Sequence, residues 1–173
     1  MCCLIVFKVT AINVFAADTY AVSVNGVAVD STNAADVLGD GTVSYDSATN
    51  TLSLTDAALQ SITNNTGAAF TIHVSGQNSV TKISGSSASK LIHSNSALII
   101  NGSGILELSG IDENDYIQCV SADGKVTVDG VQLKMVNSYD AGIVSSGDID
   151  VLNHAKVTGN TGNLFRATNG KLN

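Results

Sequence analysis

Tyr116 and Tyr139 each stand ten residues ahead of an equivalent apolar residue, Val126 and Ile149, and the acids Asp112, Glu113, Asp115 and Asp140 surround them. Two tyrosine rings side by side offer a flat apolar face to a sugar ring. Nearby carboxylates can accept hydrogen bonds from its hydroxyls, or hold a Ca²⁺ that bridges to a uronate. The same rings can instead stack as a packing ladder while the acids solvate a loop. A second set, Asp129, Asp148 and Asp150, is a candidate metal site. Asp148 and Asp150 are two residues apart and so share one side of a strand, with Asp129 approaching from the preceding repeat. A solvated acidic face is the plainer alternative.

Hydrolytic or eliminative chemistry finds less support. Glycoside hydrolysis needs two carboxylates on one face a few ångströms apart. A pectate-type elimination needs a basic residue beside the bound uronate. Here the acids gather in loops, Arg166 is the only arginine, and the N-T-D, G-H-G and R-I-K runs of pectin hydrolases are absent. His73, His93 and His154 lack metal-ligand spacing. Cys119 has no neighbouring histidine to activate it, so a packed thiol is expected. The expectation is a protein that is not an enzyme.

These side chains must be placed by a repeat. The runs IHSNSALII, VSADGKVTV, IVSSGDIDV and RATNGKL align without a gap, and Leu98, Val126, Ile149 and Leu172 then fall 28, 23 and 23 residues apart. A period of that size predicts a solenoid. Apolar pairs at alternate positions mark a first strand in each coil: Leu52 and Leu54, Ile72 and Val74, Leu98 and Ile100, Val126 and Val128, Ile149 and Val151. A second apolar position follows at Leu59, Val80, Leu106, Leu133 and Val157. A third precedes the turn at Phe70, Ile92, Val120 and Ile143. With no proline and no helical period, the pattern predicts an all-β, single-stranded, right-handed parallel β-helix over residues 51–173. Equivalent positions then touch at about 4.8 Å, which places Tyr116 beside Tyr139 and Glu107 beside Lys134 as a cross-coil ion pair. Small residues Ser94, Ala122, Ser145 and Thr168 fit a narrow corner. The glycines that follow Asp123, Ser146 and Asn169, at Gly124, Gly147 and Gly170, are expected to supply left-handed backbone. Arg166 breaks the ladder of Ile92, Val120 and Ile143, so the last coil either slips register or turns that side chain outward.

Residues 18–50 are expected to cap the solenoid. YAVSVNGVAV, from Tyr20 to Val29, alternates around Asn25-Gly26 as a hairpin does. Ser31 or Thr32 can cap a short helix over Asn33–Leu38, closed by Gly39. Before the cap, residues 1–17 read as a signal peptide cleaved after Ala16 or Ala17, although Lys8 is its only base and lies inside the apolar run. The alternative is a buried first strand. After cleavage Cys119 is the only thiol, which excludes an intramolecular disulfide. Lys171-Leu172-Asn173 enter a further first strand, as in a fragment of a longer protein.

The whole chain has 44% apolar and 13% charged residues, enough to bury a core. A net charge of −7 with scattered bases argues against nucleic acid as a partner, and no segment beyond the N-terminal run is long and apolar enough for a membrane span. YAVSVNGVAV followed by NAADVLGDGTVSYDSATNTLSL, from Asn33 to Leu54, and then by Gly- and Ser-punctuated coils, resembles the carbohydrate-binding-domain-containing β-helix proteins of secreted and surface type in Firmicutes. Similarity covers most of the chain after the signal. The resemblance implies a secreted or cell-surface β-helix that binds acidic polysaccharide, with calcium, and it carries over no catalytic residue. The resulting expectation is an exported protein that binds polysaccharide or host glycan. An adhesin or surface stalk, and a fragment of a pectin-active enzyme, are the alternatives.

Overall fold

The computed structural model describes residues 16–112 and 114–173. The expected signal peptide lies almost wholly outside the described residues, as do Cys2, Cys3 and the candidate site residue Glu113. Among the described residues the chain is an all-β solenoid of about four turns, without helices.

Three strands form the cap: β1 (Thr19–Val24), β2 (Val27–Asp30) and β3 (Val43–Asp46). The first coil carries β4 (Thr51–Thr55), β5 (Ala58–Leu59) and β6 (Ile62–Asn64). The next has β7 (Phe70–Ser75), β8 (Gln77–Thr81) and β9 (Lys90–Ser94), and the one after it β10 (Leu98–Gly102), β11 (Ile105–Ser109) and β12 (Gln118–Ala122). Then come β13 (Val126–Asp129) with the long β14 (Gln132–Ser145), and β15 (Ile149–Leu152) with the long β16 (Lys156–Ala167). In β14 and β16 the corner between the second and third faces has shortened until one strand bends round it.

Parallel pairing joins the coils on all three faces. On the first, β4, β7, β10, β13 and β15 lie in that order, and Leu172 adds a parallel bridge to Ile149. The second consists of β5, β8, β11 and the starts of β14 and β16. The third consists of β6, β9, β12 and the ends of β14 and β16. At the N-terminal end pairing turns antiparallel: β1 covers β6, β2 covers β1, and β3 covers β4. Asn25 (φ 54°) and Gly26 (φ 78°) make the expected hairpin turn.

Because inward side chains recur at every coil, the interior is a set of apolar ladders. Phe70, Leu98, Val126 and Ile149 form one; Ile62, Ile92, Val120 and Ile143 form another, and all are fully buried. The narrow corner holds Asn64, Ser94, Ala122 and Ser145, with Asn64 Nδ2 donating to Ser94 Oγ at 2.9 Å. That bond satisfies a buried amide that would otherwise be costly.

Four expectations need correction. Phe70 does not precede a turn; it opens β7 and stacks on Leu98, so Ile72 lies on Ile100 and Val80 on Leu108, two residues away from the expected partners. An even slip keeps every apolar residue facing inward, and alternation cannot detect it. The outward column shifts with it: His73 meets Asn101, 2.9 Å away, and not Ile99. The break expected at Arg166 is borne out, as a slip of one residue: Phe165 continues the ladder from Ile143 while Arg166 pairs with Val144 and turns outward.

The short helix over Asn33–Leu38 is replaced by turns. Asp30 Oδ1 accepts from Thr32 N and Asn33 N, and Asp36 Oδ1 accepts from the amides of Gly39, Asp40 and Gly41. Val37 N donates to Val43 O and Tyr45 N to Ala34 O, which diverts groups a helix would use. Finally, Gly124, Gly147 and Gly170 are not in left-handed backbone. A Cβ on Gly124 would lie 2.7 Å from Ala97 N, and one on Gly170 2.3 Å from Gly147 C. Close approach between coils requires these glycines.

Candidate functional site

The candidate site lies at the corner between the second and third faces. There the segment 114–117 and the bend of β14 at 137–140 belong to neighbouring coils, and Tyr139 N donates to Asp115 O at 2.9 Å. This stacking brings the Tyr116 and Tyr139 rings together, with centroids 6.1 Å apart and planes tilted by 42°. Both rings face solvent, at 67% and 60% exposure. Tyr20 and Tyr45 show the contrast: their rings are 5.3 Å apart, but Tyr45 is 8% exposed and its hydroxyl donates to Asn50 Oδ1. That pair packs the cap, whereas Tyr116 and Tyr139 leave apolar ring area open to a ligand.

Beside the rings runs a shallow groove of about 380 Å³, lined by Tyr116, Tyr139, Asp140, Gly162, Asn163 and Arg166. Asp140 is its one acidic residue among those described. Arg166 Nη1 donates to Asp140 Oδ1 at 2.8 Å and Nη2 to Oδ2 at 3.2 Å, while Gln118 Nε2 donates to Oδ2 at 2.9 Å. The Arg166 hydrogen bonds hold the Asp140 carboxyl below its ordinary range, outweighing burial, with Gln118 and the Arg166 charge adding to them. The Asp140 bonds in turn raise the guanidinium pKa.

The other expected acids are placed differently. Asp115 is turned into the corner, where Lys82 Nζ reaches Oδ1 at 2.6 Å and Ile111 N donates to Oδ2. Burial pushes its pKa up, but the Lys82 hydrogen bond, the Ile111 amide and the Lys82 charge together bring it below the usual value. Asp112 is exposed and accepts from Asn114 N within its own loop. Of the expected ligand set, Tyr116, Tyr139 and Asp140 line the groove, while Asp112 and Asp115 do not. Arg166, Asn163 and Gly162 join it unforeseen, although the ladder broken at Arg166 was a signal of it.

The candidate metal residues are not brought together. Asp150 binds Lys125 and accepts from Asn173 Nδ2; Asp148 Oδ1 accepts from Lys171 N; Asp129 Oδ1 accepts from Asn153 Nδ2 at 2.7 Å. Thr127, not Asp129, is in register with Asp150. Calcium takes about six to eight oxygens, and carboxylates already committed to cations and amides do not fit it. Among the described residues no three His, Cys, Asp or Glu side chains converge as metal ligands.

Elsewhere, Lys134 Nζ meets Glu107 Oε2 at 2.7 Å, the expected cross-coil pair. Cys119 is buried, which pushes its thiol up to about 11 against a smaller opposing effect of Ser138. A thiol so placed is a poor nucleophile. Among the described residues no helix is long and apolar enough to cross a membrane. The chain matches no family model, no curated protein and no solved structure.

Proposed function

We propose that this protein is a non-catalytic, exported β-solenoid that binds polysaccharide or host glycan at the cell surface through the Tyr116–Tyr139 groove. The observation that carries the reading is the exposure of two adjoining rings beside a polar groove. Rings used only for packing are covered, as Tyr45 is. A sugar presents an apolar C–H face to such rings and hydroxyls to the polar groups beside them, here Asn163 and the Asp140–Arg166 pair. The non-catalytic part of the reading rests on Asp115 and Asp140. Each is held in a low-pKa ion pair, which suits neither a general acid nor a nucleophile that must be free to attack.

Export rests on the apolar character of residues 1–17, and the resemblance of Asn33–Leu54 to secreted carbohydrate-binding-domain β-helix proteins supports the same placement. Right-handed winding follows the hand that strand–crossover–strand connections take in about 98% of cases.

Native affinity electrophoresis through gels containing soluble polysaccharides tests the function. Retardation of the protein by at least one polymer, abolished by Tyr116→Ala with Tyr139→Ala, is expected. Retardation that survives the double substitution moves the site elsewhere on the solenoid, and no retardation by any polymer leaves the stalk reading in its place.

A further inference from the structure

The ion pairs at this corner bear on which glycans the groove accepts. Arg166 is the cation that lines it, and a ligand carboxylate would be drawn to that guanidinium before any other group there. Yet the guanidinium is already engaged by both oxygens of Asp140, whose side chain is only 9% exposed and is fixed a second time by Gln118. The Arg166 side chain is itself 37% exposed and keeps further N–H donors, but a uronate could chelate the edge formed by Nη1 and Nη2 only by displacing Asp140, which would leave that carboxylate nearly buried beside a second negative charge. Any other approach meets a guanidinium whose charge Asp140 already neutralises. Leaving the covered carboxylate without its partner costs more than leaving the pair closed. Lys82 is closed off similarly by Asp115, with both side chains 11% exposed. The same pairing removes Asp115 and Asp140 as calcium ligands, and among the described residues no three acidic, histidine or cysteine side chains converge there to hold a metal bridge to uronate. At longer range the net charge of −7 repels polyanions.

Besides that mutually neutralised pair, the described residues lining the groove are uncharged: two tyrosine rings with their hydroxyls, the Asn163 amide and the backbone at Gly162. We propose that the groove selects neutral over anionic sugars, with Asp140 as the residue that sets this specificity by holding Arg166 in a closed pair. The inference rests on the glycan-binding reading and names its ligand class as a neutral pyranose polymer.

The test compares mobility of the intact chain in native gels containing hydroxyethyl cellulose, arabinoxylan, glucomannan or polygalacturonate, each referred to a gel without polymer and run with calcium or with a chelator. The wild-type protein is expected to be retarded by at least one neutral polymer and not by polygalacturonate, in either buffer. Asp140→Asn releases Arg166. It is expected to raise affinity for polygalacturonate by about tenfold, the scale of one charge-assisted hydrogen bond, and Asp140→Asn with Arg166→Gln to remove that gain. Wild-type retardation that is stronger on polygalacturonate than on the neutral polymers overturns the inference and leaves glycan binding standing. A folded Asp140→Asn variant without the gain overturns the role of Asp140. Retardation by no polymer overturns the glycan-binding reading, and the inference with it.

Discussion

Gly124 packs so closely against the neighbouring coil that a Cβ would stand 2.7 Å from Ala97 N, a backbone atom that cannot rotate away. If this glycine served a left-handed turn, asparagine would replace it at little cost, because asparagine tolerates that conformation. Since the requirement is space, Gly124→Asn is expected to destabilise the fold at least as much as Gly124→Ala. Each should lose about 1–3 kcal/mol, the range for overpacking a tight site. Urea denaturation with an unchanged slope measures it, and rescue by asparagine would restore the conformational explanation. Asn-Gly at the hairpin differs: Asn25 and Gly26 both have positive φ, and Asn25 Oδ1 also accepts from Gln60 N and Ser61 N. The two kinds of glycine look alike in sequence because each follows a polar residue in a turn. Only the position of the next coil tells them apart.

Among the strands, β7 shows what alternation can and cannot reveal. Ile72 and Val74 were recognisable as inward residues, but whether Ile72 meets Leu98 or Ile100 was not, since moving by two residues leaves the same face inside. Phe70 supplies the test. Placed in β7 on Leu98, it is fully buried, and Phe70→Ala is expected to cost about 3–5 kcal/mol. A double-mutant cycle of Phe70→Ala with Leu98→Ala should show a coupling of about 0.5–3 kcal/mol, as for residues in contact. Additive effects would mean that the two side chains do not touch. At β16 the slip is by one residue, and its trace was visible as Arg166 in an apolar column. The destination of Arg166, against Asp140, was not readable, because it depends on how a neighbouring corner is shortened. Tyr116 and Tyr139 were legible as neighbours because each stands ten residues ahead of a residue in the Val126–Ile149 pairing, which the structure keeps in register. The cap stretch has the composition of a short helix but forms turns because Asp30 and Asp36 hold their local amides, and such side-chain bonds compete with a helix without altering the composition of the stretch.

At the scale of the molecule, six aspartates among the described residues are held below their ordinary pKa of 3.8. Asp30, Asp40 and Asp46 are lowered chiefly by threonine hydroxyls in the cap turns, and Asp140 and Asp150 chiefly by hydrogen bonds from Arg166 and Asn173 respectively. Asp115 is lowered in spite of its burial. For a carboxyl whose folded pKa is depressed, the stabilisation is complete above the unfolded value and disappears as pH falls through the folded one. Stability should therefore be level through the weakly acidic range and fall steadily as pH drops below about 3.8, by urea midpoints taken across pH. A midpoint that rises on acidification would contradict these pairings. The same stacking of coils that aligns the ion pairs places Tyr116 and Tyr139 side by side, so that rings separated by more than twenty residues in sequence form one surface. Aromatic-ring NMR resonances of both tyrosines, followed while a soluble neutral oligosaccharide is added, test this most directly. Both rings are expected to shift along one shared saturation curve. Saturable binding that moves neither ring, or moves one and leaves the other still, would contradict a single platform built from consecutive coils.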